Sequence, residues 1–458
     1  RPFWSSVMLL GLLSPALRAA DSPVETTLPS GMRIICRRDT SSPLVALQVF
    51  VRVGAAQENP EKPGIGNFVA RTLFSGGLSD EIPEVLAGEI GDLGGNVTAT
   101  WQPDWTQISV LTLGDKFTDA AFLVTNVLKN ADFDKDVVSS TRDDITSDID
   151  SANAGVFQTA YQGVRQIAYG GTRYTLPPMG TVSSVNHISR DDLLAYYNRF
   201  YVPQNFVFVV VGNIDPAEAV AKINEDMSDF PTRGRGSRRP FQFVSDPLPA
   251  LTADPPPVHA VLPDLAEAAV LVGYRVPPVS SPDYPAVEVA NALLGGMKTS
   301  RLFTELREKQ GLAYELGSIL NSQAVAGDLT AYVLASPPTR TDPATKKSVS
   351  AVGFIKEQIL HQVAALQAAP PTPTALLRAQ HFLIGTQKIR HERLEDRATL
   401  LGTAVLQSPL GIRYDTDYSH SIHAVTAADV QRVAQKYFVH PIISVVEPDT
   451  NPDSIVSE

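Results

Sequence analysis

The feature that most narrows the fold of this chain is a repeat. An apolar, strand-like run, Val45 to Val53 (VALQVFVRV), leads through polar residues and Pro60 into a helix-like stretch ending in Leu73-Phe74-Ser75-Gly76-Gly77. The same order returns later. Val270 to Val276 (VLVGYRV) is followed by Ser280-Ser281-Pro282 and a helix-like stretch ending in Leu293-Leu294-Gly295-Gly296. The ends of the two units match as well. Asp192-Leu193 to Tyr201-Val202-Pro203 precedes the apolar run Phe206 to Val211, and Asp429-Val430 to Phe438-Val439-His440 precedes Ile442 to Val446. Matching elements at both ends of two long units indicate a duplicated domain, not an array of short repeats. Strands mixed with runs of helices imply an α+β layer, one sheet packed on helices, used twice.

A chain of 458 residues is too long for one ordinary core. The Pro-rich stretch 230–259, with Pro255-Pro256-Pro257, is stiff and poor in backbone donors, and reads as a linker. It separates a first domain, 21–229, from a second, 260–458. Arg233, Arg235, Arg238 and Arg239 lie in this stretch among Gly, Ser and Pro, and read as solvated linker charge. The net charge of −11, from 38 basic and 49 acidic residues, argues against a nucleic-acid partner. Residues 1–20 hold an apolar run, Val7 to Leu17, closed by Arg18-Ala19-Ala20. That is the pattern of a secretory signal, and it implies a periplasmic or secreted protein. The run is too short for an ordinary membrane-spanning helix, and no other segment is long and apolar enough for a stable span. Cys36 is the single cysteine, so neither an internal disulfide nor a cysteine-based zinc knuckle can form. It lies in the apolar run Met32-Arg33-Ile34-Ile35-Cys36 and is expected to be a buried structural thiol. The eight histidines are scattered. His420 and His423 are three apart, and His391 precedes Glu392, but neither group forms a metal-binding helix motif.

One stretch, Gly64-Ile65-Gly66-Asn67-Phe68-Val69-Ala70-Arg71-Thr72-Leu73-Phe74, resembles the signature helix of the pitrilysin and insulysin-type peptidases, the inverted zincins. In that family the helix carries H-x-x-E-H: two His bind zinc from one face, and the Glu activates the metal-bound water. By this resemblance Asn67 stands at the first His, Ala70 at the Glu and Arg71 at the second His. An amide is a poor zinc ligand, Ala has no basic group, and a guanidinium repels a cation. The third ligand of the family, a Glu, matches Asp144, which reads here as a solvated helix residue. Further pieces resemble the family in order: Leu93 to Ala99 (LGGNVTA), Tyr174 to Gly180 (YTLPPMG), and Pro203 to Asp215.

The second informative stretch runs from Ser300 to Tyr314 (SRLFTELREKQGLAY). Leu302, Phe303 and Leu306 are expected on one face of an amphipathic helix, with Thr299 or Ser300 as its cap and Gly311 as its stop. A turn at Gly311 returns Tyr314 towards Arg307. In the inverted zincins an Arg and a Tyr at this spacing complete the active site. The resemblance therefore implies that Arg307 holds a substrate carbonyl and Tyr314 donates to the oxyanion. The plainer reading is that Arg307 pairs with a nearby Glu and Tyr314 packs.

Some members of the family split the work between two chains of about this length, one with H-x-x-E-H and one with the Arg/Tyr pair. The resemblance implies the second kind. The fold would be two homologous domains, each a mostly antiparallel sheet on helices, making half of a clamshell. No metal is expected in this chain. Zinc would reside in a homologous H-x-x-E-H partner, forming a heterodimer that cleaves peptides or unfolded polypeptide. A homodimer without that partner stays open. So do two other roles: an inert structural subunit, and a chaperone-like peptide binder. Gly295-Gly296 is short beside the long Gly-rich loop of the mitochondrial processing-peptidase partner chains, so that role fits less well.

Overall fold

The computed structural model describes residues 22–75, 83–153, 155–230, 248–262, 265–336, 339–341 and 348–449. The run 1–20 and the arginine cluster lie outside the described residues. The first half contains β1 (Val24–Thr27), β2 (Arg33–Arg38), β3 (Leu44–Val51), α1 (Ile65–Thr72), α2 (Pro83–Asp92), β4 (Val97–Trp101) and β5 (Thr106–Leu113). It continues with α3 (Phe117–Asn130), α4 (Lys135–Asn153), α5 (Val156–Ala168), α6 (Val182–His187), α7 (Arg190–Phe200), β6 (Phe206–Gly212) and α8 (Pro216–Asp226). The second half contains β7 (Val258–Leu262), β8 (Ala268–Val276), α9 (Tyr284–Asn291), β9 (Glu315–Ser322), β10 (Gly327–Ala335) and a short hairpin, β11 (Thr339–Thr341) and β12 (Ser348–Ser350). It ends with α10 (Val352–Ala368), α11 (Pro373–Arg390), α12 (Leu394–Gln407), α13 (Tyr414–His423), α14 (Ala427–Tyr437) and β13 (Ile442–Pro448).

The sheets show the duplication directly. Their strand orders are β1-β2-β6-β3-β5-β4 and β7-β13-β8-β10-β9. Without β1, the two orders coincide position for position. Each sheet has one parallel pair, β2 with β6 and β7 with β13, and is otherwise antiparallel. The fold is therefore α+β, with two homologous sheet-and-helix domains.

One aspect differs from the sequence reading. β6 is buried along its whole length and β3 from Val45 onward, so both faces of these strands are covered. Helices of the same half cover one face. The other face is covered by a helix from the opposite half. Leu394, Ala398, Leu401 and Val405 form one stripe of α12 and pack on Ile35, Ala46, Phe50, Val207, Val209 and Val211 of the first sheet. Reciprocally, Val156, Ala160, Val164 and Ala168 of α5 pack with Ala269, Leu271, Ile442 and Val446 of the second. Helix–sheet contact is close in both places. A Cβ on Gly402 would meet the Phe50 ring at 2.0 Å, and one on Gly163 would meet Ser444 Oγ at 2.5 Å. Polar links reinforce the exchange. Gln48 Nε2 donates to the Glu395 carbonyl (2.9 Å), and the Tyr169 hydroxyl donates to Asp328 (2.8 Å).

The stretch read as a linker is packed where it is described. Leu248 and Leu251 lie against the core shared by α5 and the second sheet. The Pro249 carbonyl accepts from Arg275, and β7 begins at Val258. Cys36 is buried in β2 as expected. Burial, then the negative charge of Asp215, pushes its thiol up to about 12. Among the described residues, no helix is long and apolar enough to cross a membrane.

Candidate active site

α1 starts at Gly64, whose φ of 88° suits glycine. Gly64 also meets the Tyr174–Gly180 segment back to back: a Cβ on Gly64 would come within 2.5 Å of the Met179 carbonyl. Beneath the helix start lies Glu58, buried, accepting from the Gly64 and Gly66 amides at 3.1 and 3.0 Å. Burial pushes its carboxyl up to about 7, although the two amides pull the other way. Glu58 thus takes up two of the free N–H groups at the helix start. The sequence reading did not single it out, because only the loop's return brings residue 58 under residue 64.

Phe68, Val69 and Leu73 anchor α1 in the first core. Ala70 is 2% exposed, so the position matching the family's Glu is closed by packing. Asn67 and Arg71, four apart, share a face. Asn67 Nδ2 is enclosed and has no hydrogen-bond partner among the described residues. Arg71 Nη1 forms an ion pair with Asp148 Oδ2 at 2.6 Å. The carboxylate brought to α1 is therefore Asp148, not Asp144, which is exposed one turn earlier on α4. Both lie on one side of α4, about 5–6 Å apart along its axis. Their spacing in sequence does not decide which turn of α4 meets Arg71; the packing of α1 on α4 does. Among the described residues, no three His, Cys, Asp or Glu side chains are grouped to hold a metal. His391 bonds to Asp415 (2.8 Å), not to a metal-type cluster.

The second half keeps its site open. Ser300 Oγ accepts from the Phe303 amide at 3.4 Å, which makes Ser300 the cap. Leu302 and Leu306 are fully buried. From Phe303 to Glu308 the helix widens to π geometry, a form common at functional sites. The widened turn moves Phe303 off the core face where the amphipathic pattern placed it. Its ring lies 4.8 Å from the Arg307 guanidinium carbon. Gly311, at φ 61°, reverses the chain. Arg307 Nη1 then donates to the Tyr314 carbonyl at 2.8 Å, and its guanidinium carbon lies 4.2 Å from the centre of the Tyr314 ring. Glu305 pairs with Lys309 at 2.7 Å, and among the described residues no acid pairs with Arg307. Tyr314 is 82% exposed, so it does not pack into a core. Gly295 serves close packing: a Cβ there would sit 2.5 Å from the Ser318 amide.

Two family models match this chain. Residues 33–182 match "Insulinase (Peptidase family M16)", and residues 187–383 match "Peptidase M16 inactive domain". The chain belongs to peptidase family M16. An uncharacterized zinc protease of Mycobacterium leprae is 29% identical over 314 residues, covering 68% of this chain and 69% of that protein. The mitochondrial-processing peptidase subunit beta of Dictyostelium discoideum is 20% identical over 93% of this M16 chain and 89% of its own. In fold, a protease from Helicobacter pylori superposes with a TM-score of 0.84 at 17% identity, covering 94% of this chain and 100% of that one.

Proposed function

We propose that this M16 chain is the non-metal subunit of a two-chain zinc peptidase, supplying Arg307 and Tyr314 to a site whose zinc is held by an H-x-x-E-H homologue. The observation that carries this reading is the contrast between the two motifs. At α1, the cation of Arg71 already occupies the Asp148 carboxylate, and the amide of Asn67 and the methyl of Ala70 add no strong ligand or base. That donor set does not fit zinc. At the second site an exposed phenol stands on a guanidinium that no acid neutralises among the described residues.

The chemistry follows from these groups. The partner's zinc would supply the activated water. Tyr314 would donate its O–H to the oxyanion that forms as the scissile carbonyl is attacked. Arg307 would fix Tyr314 through its carbonyl and ring, and offer its remaining N–H donors to a substrate carbonyl. The ends of both sheets suit an extended peptide. β4 closes the first sheet beside α1, and β9, which begins directly after Tyr314, closes the second. A peptide strand can add to such an edge. The secretory pattern at 1–20 supports a periplasmic or secreted pair.

The test is peptide cleavage by this chain mixed with an H-x-x-E-H homologue, with Arg307→Ala and Tyr314→Phe compared in parallel and assembly checked by size-exclusion chromatography. The expected result is cleavage by the wild-type pair and loss in both variants with assembly intact. Undiminished cleavage in both variants would remove the active-site role and favour a structural subunit. Peptide binding without cleavage by the wild-type pair would favour a chaperone-like role. Stoichiometric zinc in the isolated chain would overturn the division of labour.

A further inference from the structure

The second half contains a site that the peptidase role does not use. Two adjoining cavities, about 620 and 280 Å³, lie among α9, α11, α12, α13 and α14. The larger has the volume of a small-molecule pocket. Both are walled by Tyr284, Glu288, Tyr414 and Tyr418. Among the described residues, Glu288 Oε2 is enclosed and has no hydrogen-bond partner, and Oε1 has only the Tyr418 hydroxyl, at 3.4 Å. A carboxyl oxygen left bare in this way is costly, and it points to a missing donor.

The charged groups around Glu288 do not supply that donor. On α14, at the mouth of the larger cavity, Arg432 is paired with Asp429 at 3.2 Å and with Asp283 at 2.8 Å. His420 of α13 also lines that mouth but is exposed. Arg390 of α11 borders the smaller cavity, where its positive charge acts on Glu288 and favours the carboxylate, but it forms no ion pair with that acid. α12 contributes Leu400, Thr403, Ala404 and Gln407, all uncharged. Nearby tyrosine rings favour a cation over an anion, because their faces carry negative potential. Val279, Pro282, Leu410 and Val425 give the larger cavity an apolar wall, beside the hydroxyls of Ser280, Ser281, Ser408 and Ser421.

We propose that this cavity binds a primary ammonium group carried on an apolar body, with the nitrogen donating to Glu288 Oε2 among Tyr284, Tyr414 and Tyr418. Burial pushes the free Glu288 carboxyl up to about 8, so it holds its proton at neutral pH. An arriving ammonium keeps its own protons and favours the carboxylate. The Glu288 proton therefore passes to the buffer as the ion pair forms.

The test is isothermal titration calorimetry of the full chain with n-hexylammonium chloride at pH 7, in two buffers of different ionisation enthalpy. The expected result is saturable binding with release of close to one proton. Hexanol and hexanoate should bind at least tenfold more weakly. Glu288→Gln should lower hexylammonium affinity at least tenfold and abolish the proton release. Tyr418→Phe, which keeps the ring and the acid, should lower it only a few-fold, and it tests the site should Glu288→Gln fail to fold. Binding of Leu-Leu but not N-acetyl-Leu-Leu would assign the site to peptide amino termini. Binding of cadaverine without either peptide would assign it to diamines. No saturable binding at millimolar hexylammonium overturns the proposal, as do equal binding of hexanol, absence of proton release, and unchanged affinity in both variants.

Discussion

The two halves build the same strand order, yet each carries its motif on a different helix and treats that motif in the opposite way. In the first half α1 is closed. Ala70 is buried, and Arg71 is tied to Asp148. In the second half the motif lies on the helix just before β9, which ends in a widened turn that leaves Tyr314 exposed on Arg307. On the proposed reading, the Arg71–Asp148 ion pair stands in for a metal as a structural link between α1 and α4. A catalytic donor cannot be replaced in that way. It has to stay accessible and without a competing partner.

The contrast can be broken most decisively at Tyr314. In the assembled pair, Tyr314→Phe is expected to lower kcat by about 10²–10³-fold, roughly 3–4 kcal/mol, the cost of one oxyanion donor. Asn67→Ala in the closed half should leave kcat within about twofold. A steady-state comparison of the two variants decides whether the halves differ in role as argued.

Glu58 gives the next largest effect, on stability. Its folded-state carboxyl is raised from 4.5 to about 7 by burial. Below the unfolded value both states hold the proton and the native state bears no penalty. As pH rises through the folded value the native carboxyl must ionise in its enclosure, and stability is lost. Glu58→Gln should remove a pH-dependent loss of at most about 3 kcal/mol between pH 4.5 and 7. Urea midpoints of wild type and variant at pH 5 and pH 8 measure it; parallel shifts of both proteins would assign the slope to other groups.

The exchanged helices sharpen the comparison of the halves as packing units. Gly402→Ala should cost about 1–3 kcal/mol by overpacking against Phe50, and Gly163→Ala a similar amount against Ser444. Thermal unfolding should show each substitution destabilising the whole chain in one transition. Two separated transitions would mean that the halves unfold independently despite the exchange. The smallest effect belongs to the Arg71–Asp148 pair, whose side chains are 32% and 53% exposed. Asp148→Asn should cost no more than about 1 kcal/mol in denaturant unfolding.

Much of this is legible in the sequence. The apolar runs of β3, β6, β8 and β13 announce central strands, since a strand covered on both faces cannot alternate. Gly311 announces the turn, and Gly64 to Phe74 announces both the family and the altered motif. Phe303 lies off the face that periodicity assigns it, because a π turn shifts the helical phase and periodicity assumes α geometry throughout. Glu58 and Asp148 escaped for a different reason. Each acts through a residue distant in the chain, and no local pattern encodes such a pairing. The cavity around Glu288 escapes likewise, since it is assembled from five helices.

What the sequence determined by itself is the duplicated scaffold, the altered helix at Asn67, Ala70 and Arg71, and the Arg307/Tyr314 pair. These follow from hydrophobic order and from residue chemistry, both of which are local. The tertiary structure alone decided that α5 and α12 cross to the opposite sheets, that Asp148 and not Asp144 meets Arg71, and that Glu288 lies bare in a cavity. Those outcomes depend on which surfaces bury each other, and burial is a property of the whole packed chain.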